Sequence, residues 1–182
     1  CHGRLDLPLF PDVIRRFPKA AFVSISENQR IPLPQANWVG TVYHGLPPDL
    51  LRPSFEPGSY LAFLGRLTAE KGPEPAIRIA RAVGMPLHIA AKVPRGETTY
   101  FRERIEPQLD GKQVQLIGEV NDRAKQGFLA GAAALLFPID WPEPFGLVMI
   151  EAMACGTPVI AFKSGSVPEV GDDWITGFVV SV

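Results

Sequence analysis

From residue 60 onward, short apolar runs alternate regularly with stretches of helical periodicity. The runs are continuous in apolar residues rather than alternating with polar ones, which indicates strands buried on both faces of a sheet. Strands separated by helices predict right-handed βαβ units, and therefore an α/β fold with a Rossmann-like, doubly wound parallel sheet. The predicted strands are 60–65, 86–91, 113–118, 134–138, 157–162 and 177–182, with helices at 73–84, 98–109, 122–132 and about 145–154.

Residues 1–57 differ from the rest in their many prolines. They contain one strand–helix pattern at 20–30 and a second short strand at 40–45. Two strands alone cannot bury a sheet, so residues 1–45 are expected to be the remnant of a neighbouring domain. Residues 46–59 indicate a linker, because proline disfavours helix interiors and central strands.

The two ends of the sequence indicate a piece of a longer protein. The first residue is Cys1 rather than methionine, and the last lies in a predicted strand. We therefore expect residues 60–182 to be a domain that is truncated at its C-terminal end. With 182 residues, of which 46% are hydrophobic, the chain is long enough for one well-cored domain.

Charge and cysteine usage exclude several classes of protein. The formal net charge is −1, and residues of both signs are interspersed. The sequence therefore shows no cluster of basic residues of the kind that binds nucleic acid or an anionic membrane. No apolar run approaches the roughly 18 residues of a transmembrane helix, and no signal-peptide pattern opens the sequence. Cys1 and Cys155 form neither a disulfide framework nor a metal-ligand spacing. We expect no nucleic-acid partner, no transmembrane segment and a reducing, cytoplasmic setting.

Two carboxylates stand out in the segment WPEPFGLVMIEAMACGTPVIAF, residues 141–162. Glu143 lies between Pro142 and Pro144, before the predicted helix, and Glu151 lies inside its apolar stretch. An unpaired buried carboxylate is costly, so Glu151 requires a partner, either an arginine or a ligand hydroxyl. The alternative is a helix-start acid followed by a privately paired core acid, with no ligand involved.

The loop after the first strand of the predicted sheet carries two cations. Arg66 and Lys71 come just before a helix that Pro73 opens. Ligands of parallel α/β sheets bind beyond the carboxyl ends of the strands, near helix N-termini, so the pair could clamp a diphosphate. The alternative is two ordinary solvated charges. Neither the dinucleotide-binding G-x-G-x-x-G motif nor a P-loop is present.

Other polar residues have simpler interpretations. Asp122 is typical of a helix start. His88 lies inside a predicted strand and indicates a core position, whereas His44 is assigned to the linker region. Asp172 and Asp173 indicate a turn.

Four segments together resemble the donor-binding half of a group 1 (family 4) retaining glycosyltransferase of the GT-B fold. They are GRLTAEKG (65–72), IGEVNDRAK (117–125), EPFGLVMIE (143–151) and EAMACGTPVIAFKSGSVPEV (151–170). The resemblance runs from residue 60 to the end. It extends weakly to CHGRLDLP and FVSISENQR, which are similar to the last part of the acceptor-side domain.

The resemblance implies a chemistry and its partners. The donor would be a nucleoside-diphosphate sugar, and the acceptor would be a carbohydrate, a lipid or a small molecule that the sequence does not identify. No metal and no other cofactor is implied, and no Asp-x-Asp stands at a strand end. The isolated piece is expected to bind a nucleotide sugar weakly and to transfer the sugar inefficiently.

The resemblance also assigns roles to individual residues. Arg66 and Lys71 would hold the donor's diphosphate, and Glu143 would face the transferred sugar as the catalytic candidate. The backbone after Glu143 would approach the sugar and the phosphates, through Phe145, Gly146 and Leu147.

The remaining roles concern the nucleoside and the edges of the cleft. Glu151 would bond the ribose hydroxyls, which accounts for a carboxylate in an apolar helix, and the segment around Val120 would line the base. His2 stands where the family carries a histidine at the cleft. Lys92 either reaches the donor or is merely exposed.

Two other interpretations compete with a glycosyltransferase. A GT-B sugar epimerase would need a further acid/base set in the cleft, and a phosphorylase would need a lysine for pyridoxal phosphate; neither is evident. A non-catalytic Rossmann-like module that binds a nucleotide remains the second alternative.

Overall fold

The computed structural model describes residues 1–181, which form two parallel sheets with helices packed against them. The smaller sheet belongs to the N-terminal part of the chain. Its elements are helix α1 (Leu9–Arg16) and strands β1 (Phe22–Ser24) and β2 (Trp38–Thr41), and β1 pairs with β2. The strand predicted at 40–45 therefore begins and ends earlier, and α1 was not predicted.

The larger sheet has six strands in the order β5-β4-β3-β6-β7-β8, and every neighbouring pair is parallel. This confirms the predicted α/β fold with a parallel sheet. The strand order reverses between β3 and β6, which is where ligands bind in open sheets of this kind. The strands are β3 (Tyr60–Arg66), β4 (Leu87–Lys92), β5 (Val114–Gly118), β6 (Ala132–Phe137), β7 (Val159–Phe162) and β8 (Gly177–Val180).

Helices connect these strands as α2 (Pro73–Val83), α3 (Thr98–Tyr100), α4 (Asp122–Ala130), α5 (Leu147–Ala154) and α6 (Val167–Val170). The predicted helix at 98–109 is instead mixed: α3 continues as a π-helical turn over Phe101–Ile105 and a 3₁₀ turn over Glu106–Gln108. Pro107 lacks an N–H group and cannot extend a regular helix from the preceding turn. None of the helices in residues 1–181 is long and apolar enough to cross a membrane.

Two strand ends differ from the prediction. The strand predicted from 157 begins at Val159, because Pro158 has no N–H to donate to a neighbouring strand. The strand predicted at 177–182 ends at Val180, and its last position, Val182, lies outside the described residues.

The strands at the centre of the sheet are buried on both faces. In β3, Ala62 packs in one hydrophobic cluster, whereas Leu61 and Phe63 pack in the cluster on the other face. In β6, Leu135 and Leu136 alternate in the same way. Strands that are covered on both sides need apolar residues at every position, which is why their sequences are continuous rather than alternating.

Residues 46–59, predicted as a linker, contain no helix or strand but are held against the larger sheet's helices. Leu51 is buried with the cluster that includes α4 and α5. The Ser54 N–H donates to the Cys155 carbonyl at 2.9 Å, and the Arg52 N–H donates to the side-chain oxygen of Gln126 at 2.7 Å. The segment therefore lies along the outside of α4 and the C-terminal end of α5.

The N-terminal part of the chain is attached to α6 through one carboxylate. Glu169 accepts hydrogen bonds from the backbone N–H groups of Glu27 at 2.7 Å and Asn28 at 2.6 Å. It also accepts one from the Tyr43 hydroxyl at 3.2 Å. These contacts bring the segment that contains His44 to the same edge of the sheet as the β6–α5 loop.

A close backbone contact joins the loops that follow β3 and β6. Gly72, which precedes α2, has a left-handed conformation with φ 74°, and a Cβ at this position would overlap the carbonyl oxygen of Pro138. Gly72 therefore satisfies both the conformation and the close approach. The contact holds Lys71 next to the loop that carries Glu143.

Replacement of Gly72 by alanine tests this contact. We expect Gly72→Ala to destabilise the chain by about 3 kcal/mol, since a left-handed penalty and a steric overlap add. Gly84→Ala is the matched control: Gly84 follows α2 with φ 69° but has open space around its Cβ position. Its expected cost is about 1–2 kcal/mol, the left-handed penalty alone. Urea unfolding measures the free energy of unfolding of both variants. Equal losses of stability would contradict the prediction, because they would show that the Cβ at position 72 causes no steric overlap.

Candidate functional site

A cavity of about 240 Å³ opens at the edge of the sheet where the strand order reverses. The carboxyl ends of β3 and β6 meet there, and the loops that follow them lead into α2 and α5. The residues that line the cavity come from both loops and from the N-terminal part of the chain, and include His2, His44, Gly65, Lys71, Glu143, Phe145, Gly146 and Leu147.

A buried ion pair lies at the wall of this cavity. The Lys71 ammonium bonds a carboxylate oxygen of Glu143, and the side chains are only 17% and 11% exposed. The ammonium also lies 4.7 Å from the centre of the Trp141 ring, and the Arg4 guanidinium lies 5.1 Å from the same ring. The structure thus joins one of the predicted diphosphate ligands directly to the predicted catalytic carboxylate.

The loop that carries Glu143 is held by the loop after β7. The Ser166 N–H donates to the Glu143 carbonyl at 2.9 Å, and the Ser164 hydroxyl donates to the Trp141 carbonyl at 2.7 Å. Gly165, at φ 55°, lies so close to the Glu143 backbone that a Cβ would overlap it. The segment SGS therefore fixes the position of Glu143, a role that its sequence did not reveal.

Helix α5 begins at the cavity with Leu147, two residues after the predicted start near residue 145, and Gly146 is its N-cap. Gly146 has φ 78°, and a Cβ there would come within 2.8 Å of the Met149 side chain and 3.2 Å of the Phe137 ring. The first N–H groups of a helix have no acceptor one turn earlier. The Met149 N–H donates to the Gly146 carbonyl at 2.9 Å, whereas those of Leu147 and Val148 have no acceptor among the described residues and can bind an anion. Phe145, Gly146 and Leu147 all line the cavity; their contacts with a sugar and with phosphates stay a prediction.

Glu151 has a partner that was not foreseen. Its carboxylate accepts a hydrogen bond of 2.7 Å from the Lys125 ammonium, and the two side chains are 11% and 16% exposed. Lys125 belongs to α4 and also donates to Asp122 at 3.1 Å. The sequence indicated an arginine or a ligand hydroxyl. Lys125 was missed because no spacing rule connects a residue on α4 to one on α5, 26 positions later.

Arg66 lies at the carboxyl end of β3 and is 57% exposed. Its guanidinium is 3.4 Å from a carboxylate oxygen of Glu70, whose other oxygen is 3.3 Å from the guanidinium of Arg4. Arg66 is not among the residues that line the cavity, although it shares the same edge of the sheet with Lys71. The two predicted diphosphate ligands are therefore each paired with a carboxylate.

Two further candidates lie beyond β3 along the same edge. Lys92, at the end of β4, is 63% exposed and lies 3.3 Å from Glu119. Val120, in the loop between β5 and α4, is partly buried against the hydrophobic cluster. Neither residue lines the cavity.

His44 lies in the cavity wall, which corrects its assignment to the linker region. Its ring stacks on that of His2, with the ring centres 5.1 Å apart, and meets Phe145 edge-on at 5.0 Å. Burial, and then the charge of His2, lower the pKa of His44. Sequence reasoning missed His44 because its position depends on how the N-terminal part folds back onto α6.

Comparison with known families now shows the family to which the chain belongs. A family model described as glycosyl transferases group 1 matches residues 52–182. The chain belongs to this family. The match includes both loops of the cavity, all of α5 and the SGS segment after β7.

Curated members of the family extend well beyond this chain. D-inositol 3-phosphate glycosyltransferase of Mycobacterium leprae is 31% identical over 134 residues, which cover 68% of this chain and 29% of that protein. The Mycobacterium tuberculosis protein of the same name is 33% identical over 132 residues, covering 66% and 26%. The chain thus spans less than a third of the curated glycosyltransferases it matches.

Two solved structures share the fold of this chain. Anabaena Alr3699/HepE, solved in complex with UDP-glucose, superposes with a TM-score of 0.83 over 99% of this chain and 57% of its own, at 21% identity. AviGT4, a glycosyltransferase involved in avilamycin A biosynthesis, has a TM-score of 0.71 and 28% identity over 87% of this chain and 49% of its own.

The histidine stack of this family member can be tested by titration. We expect His44 to have a pKa below the usual value of about 6.5, and His2→Asn to raise it, because the substitution removes the neighbouring positive charge. His88, whose pKa is lowered by burial alone, is the internal control and should not respond. NMR of the imidazole protons against pH measures the pKa of His44 and of His88 in the native chain and in the variant. An unchanged pKa of His44 in the variant would contradict the stacked arrangement.

Proposed function

We propose that this chain is the donor-binding part of a retaining, metal-independent glycosyltransferase whose donor is a nucleoside-diphosphate sugar. The observation that carries the proposal is the pair of buried carboxylates on either side of the start of α5. Glu143 and Glu151 are each bound to a lysine from a different element, at the edge where the strand order reverses. A core that needed only stability would gain little from two such buried charges.

The diphosphate would lie between the start of α5 and the β3–α2 loop. Lys71 has three N–H donors and uses one on Glu143, so it can also donate to a phosphate oxygen. The α5 N-terminus adds a partial positive charge and free N–H groups. Arg66 is exposed at the same edge and can exchange its long contact with Glu70 for a phosphate. Lys71, Arg66 and the α5 N-terminus would together neutralise the two negative charges of the diphosphate without a metal ion.

The transferred sugar would occupy the cavity beside Glu143. Its hydroxyls would meet the Glu143 carboxylate and the backbone of residues 145–147, and His2 also lines the cavity. Glu151 would bond the ribose and the segment around Val120 would lie against the base. Lys92 is exposed and paired with Glu119, and it has no role in this proposal.

The reaction follows from where these charges lie. The bond between the sugar's C1 and the β-phosphate oxygen breaks, and its electron pair leaves on the phosphate, where Arg66, Lys71 and the α5 N-terminus stabilise the growing negative charge. The acceptor hydroxyl forms the new bond to C1 on the same face and gives its proton to the leaving phosphate oxygen. The configuration at C1 is therefore retained. Glu143 stabilises the positive character of the sugar during the transfer.

Uridine diphosphate is the first nucleotide to test, since the Anabaena neighbour was solved with UDP and glucose. The acceptor is not assigned from the D-inositol 3-phosphate glycosyltransferases, because this chain covers only 29% of such a protein. The cytoplasm, where nucleotide sugars are made, is the compartment we propose.

Calorimetric titration with UDP, GDP and ADP, each compared with its nucleoside, tests the diphosphate site. We expect one diphosphate to bind, and Arg66→Ala and Lys71→Ala each to weaken it by about 1.5–3 kcal/mol while the nucleoside is little affected. Arg81→Ala, at the opposite end of α2, is the matched control and should change neither. If a variant loses the same affinity for the nucleoside as for the diphosphate, the replaced side chain does not bind the diphosphate.

The role of Glu143 is tested by comparing a nucleotide sugar with the corresponding diphosphate. Glu143→Gln keeps the shape of the side chain but weakens its bonds to sugar hydroxyls, and it leaves Lys71 free for the phosphate. We therefore expect the variant to bind the diphosphate at least as well as the native chain. The ratio of its affinity for the nucleotide sugar to its affinity for the diphosphate should fall about tenfold. If the two ligands change together, Glu143 does not contact the sugar.

A further inference from the structure

The proposed function leaves one half-buried cation beside the predicted ribose ligand without a role: Lys125. Its ammonium lies 2.7 Å from one carboxylate oxygen of Glu151 and 3.1 Å from Asp122, and its side chain is 16% exposed. Burial lowers the pKa of Lys125, but the bonds and charges of Glu151 and Asp122 outweigh burial, so the pKa stands above its usual value. Lys125 is therefore a fixed positive charge behind the predicted ribose ligand.

The bond to Lys125 restricts what Glu151 can do. Only one of the two carboxylate oxygens is engaged, since among residues 1–181 the hydrogen bonds to Glu151 reach its Oε1 atom alone. The neighbours of Glu151 on α5 are apolar and offer no competing donor. The carboxylate is thus anchored through one oxygen, and the other keeps its full capacity to accept from a ligand.

The position of Lys125 on α4 links two parts of the nucleoside site. Helix α4 begins just after Val120, and the Asn121 side chain caps it by accepting from the Ala124 N–H at 2.9 Å. The start of α4 therefore adjoins the loop that is expected to contact the base. Lys125, which bonds the predicted ribose ligand, lies about one turn into the same helix. Helices α4 and α5 also contact each other directly.

We propose that Lys125 is a positioning residue for the ribose subsite. It holds Glu151 with one oxygen anchored and the other directed to the ribose hydroxyls, and so determines the preference of the site for ribose over deoxyribose. The proposal rests on the proposed function, because it needs a nucleotide at this edge of the sheet. A purely structural ion pair between α4 and α5 would stabilise the fold but would not distinguish the two sugars.

The test compares each nucleoside diphosphate that binds with its 2′-deoxy analogue, by calorimetry on the full 182-residue chain. The native chain should prefer the ribonucleotide by about tenfold, the worth of one charge-assisted hydrogen bond. Lys125→Met removes the anchor but preserves the length and much of the volume of the side chain. We expect this variant to lose ribonucleotide affinity about tenfold and to bind the deoxy analogue almost unchanged, so that the preference nearly disappears.

Arg123→Met is the matched control for charge. Arg123 lies on the same turn of α4, is exposed, and donates no hydrogen bond to Glu151. It should keep the native preference although it makes the same change in net charge. Glu151→Gln should lower the preference as Lys125→Met does, and the double variant should lose no more than either single variant, since both act through one bond.

Three results would overturn the proposal. An unchanged preference in Lys125→Met would leave Lys125 without a role at the ribose, and equal losses for both nucleotides would make it a structural residue only. If Lys125→Met does not fold, Lys125→Gln decides, because its shorter, uncharged side chain weakens the bond to Glu151: a native preference overturns the proposal, and a reduced one supports it. If the native chain binds none of the diphosphates, the proposed function itself fails.

Discussion

The parallel pairing of β3 with β6 is the constraint on which the rest of this structure depends. Because the strand order reverses there, the loops leaving these two strands diverge to opposite faces of the sheet and open a crevice between them. Gly72 lets the first loop contact the backbone of the second, and the contact brings Lys71 against Glu143. The cavity, the start of α5 and the ion pair are all consequences of that one topological feature.

The buried charges of the site compensate one another when no ligand is bound. Glu143 is paired with Lys71 and Glu151 with Lys125, so neither carboxylate is left unpaired in a low-dielectric environment. Lys71 retains two of its three N–H donors and Lys125 retains one, and each carboxylate has a second oxygen. A ligand can therefore join these pairs without displacing them. This arrangement explains how an apolar helix can carry a carboxylate.

Much of the fold was predictable because its signals are local. Continuous apolar runs revealed the six strands, and the apolar residues around Glu151 in the sequence were enough to show that its carboxylate requires a partner. The identity of that partner was not predictable, since Lys125 and Glu151 meet only through the packing of α4 on α5. His44 was missed for the same reason: the contacts of Glu169 with the N-terminal part place it at the cavity. The π-helical turn after Tyr100 interrupts a pattern that the sequence presents as one regular helix.

We propose that α5 recognises the donor at two points, one at its start and one at Glu151. The most direct test is a crystal structure of this chain with the nucleoside diphosphate that binds most tightly. We expect the diphosphate at the Gly146–Leu147 backbone within hydrogen-bond distance of Lys71, and a ribose hydroxyl on the Glu151 oxygen that Lys125 does not hold. A nucleotide bound elsewhere, or one whose ribose points away from Glu151, would contradict the proposal.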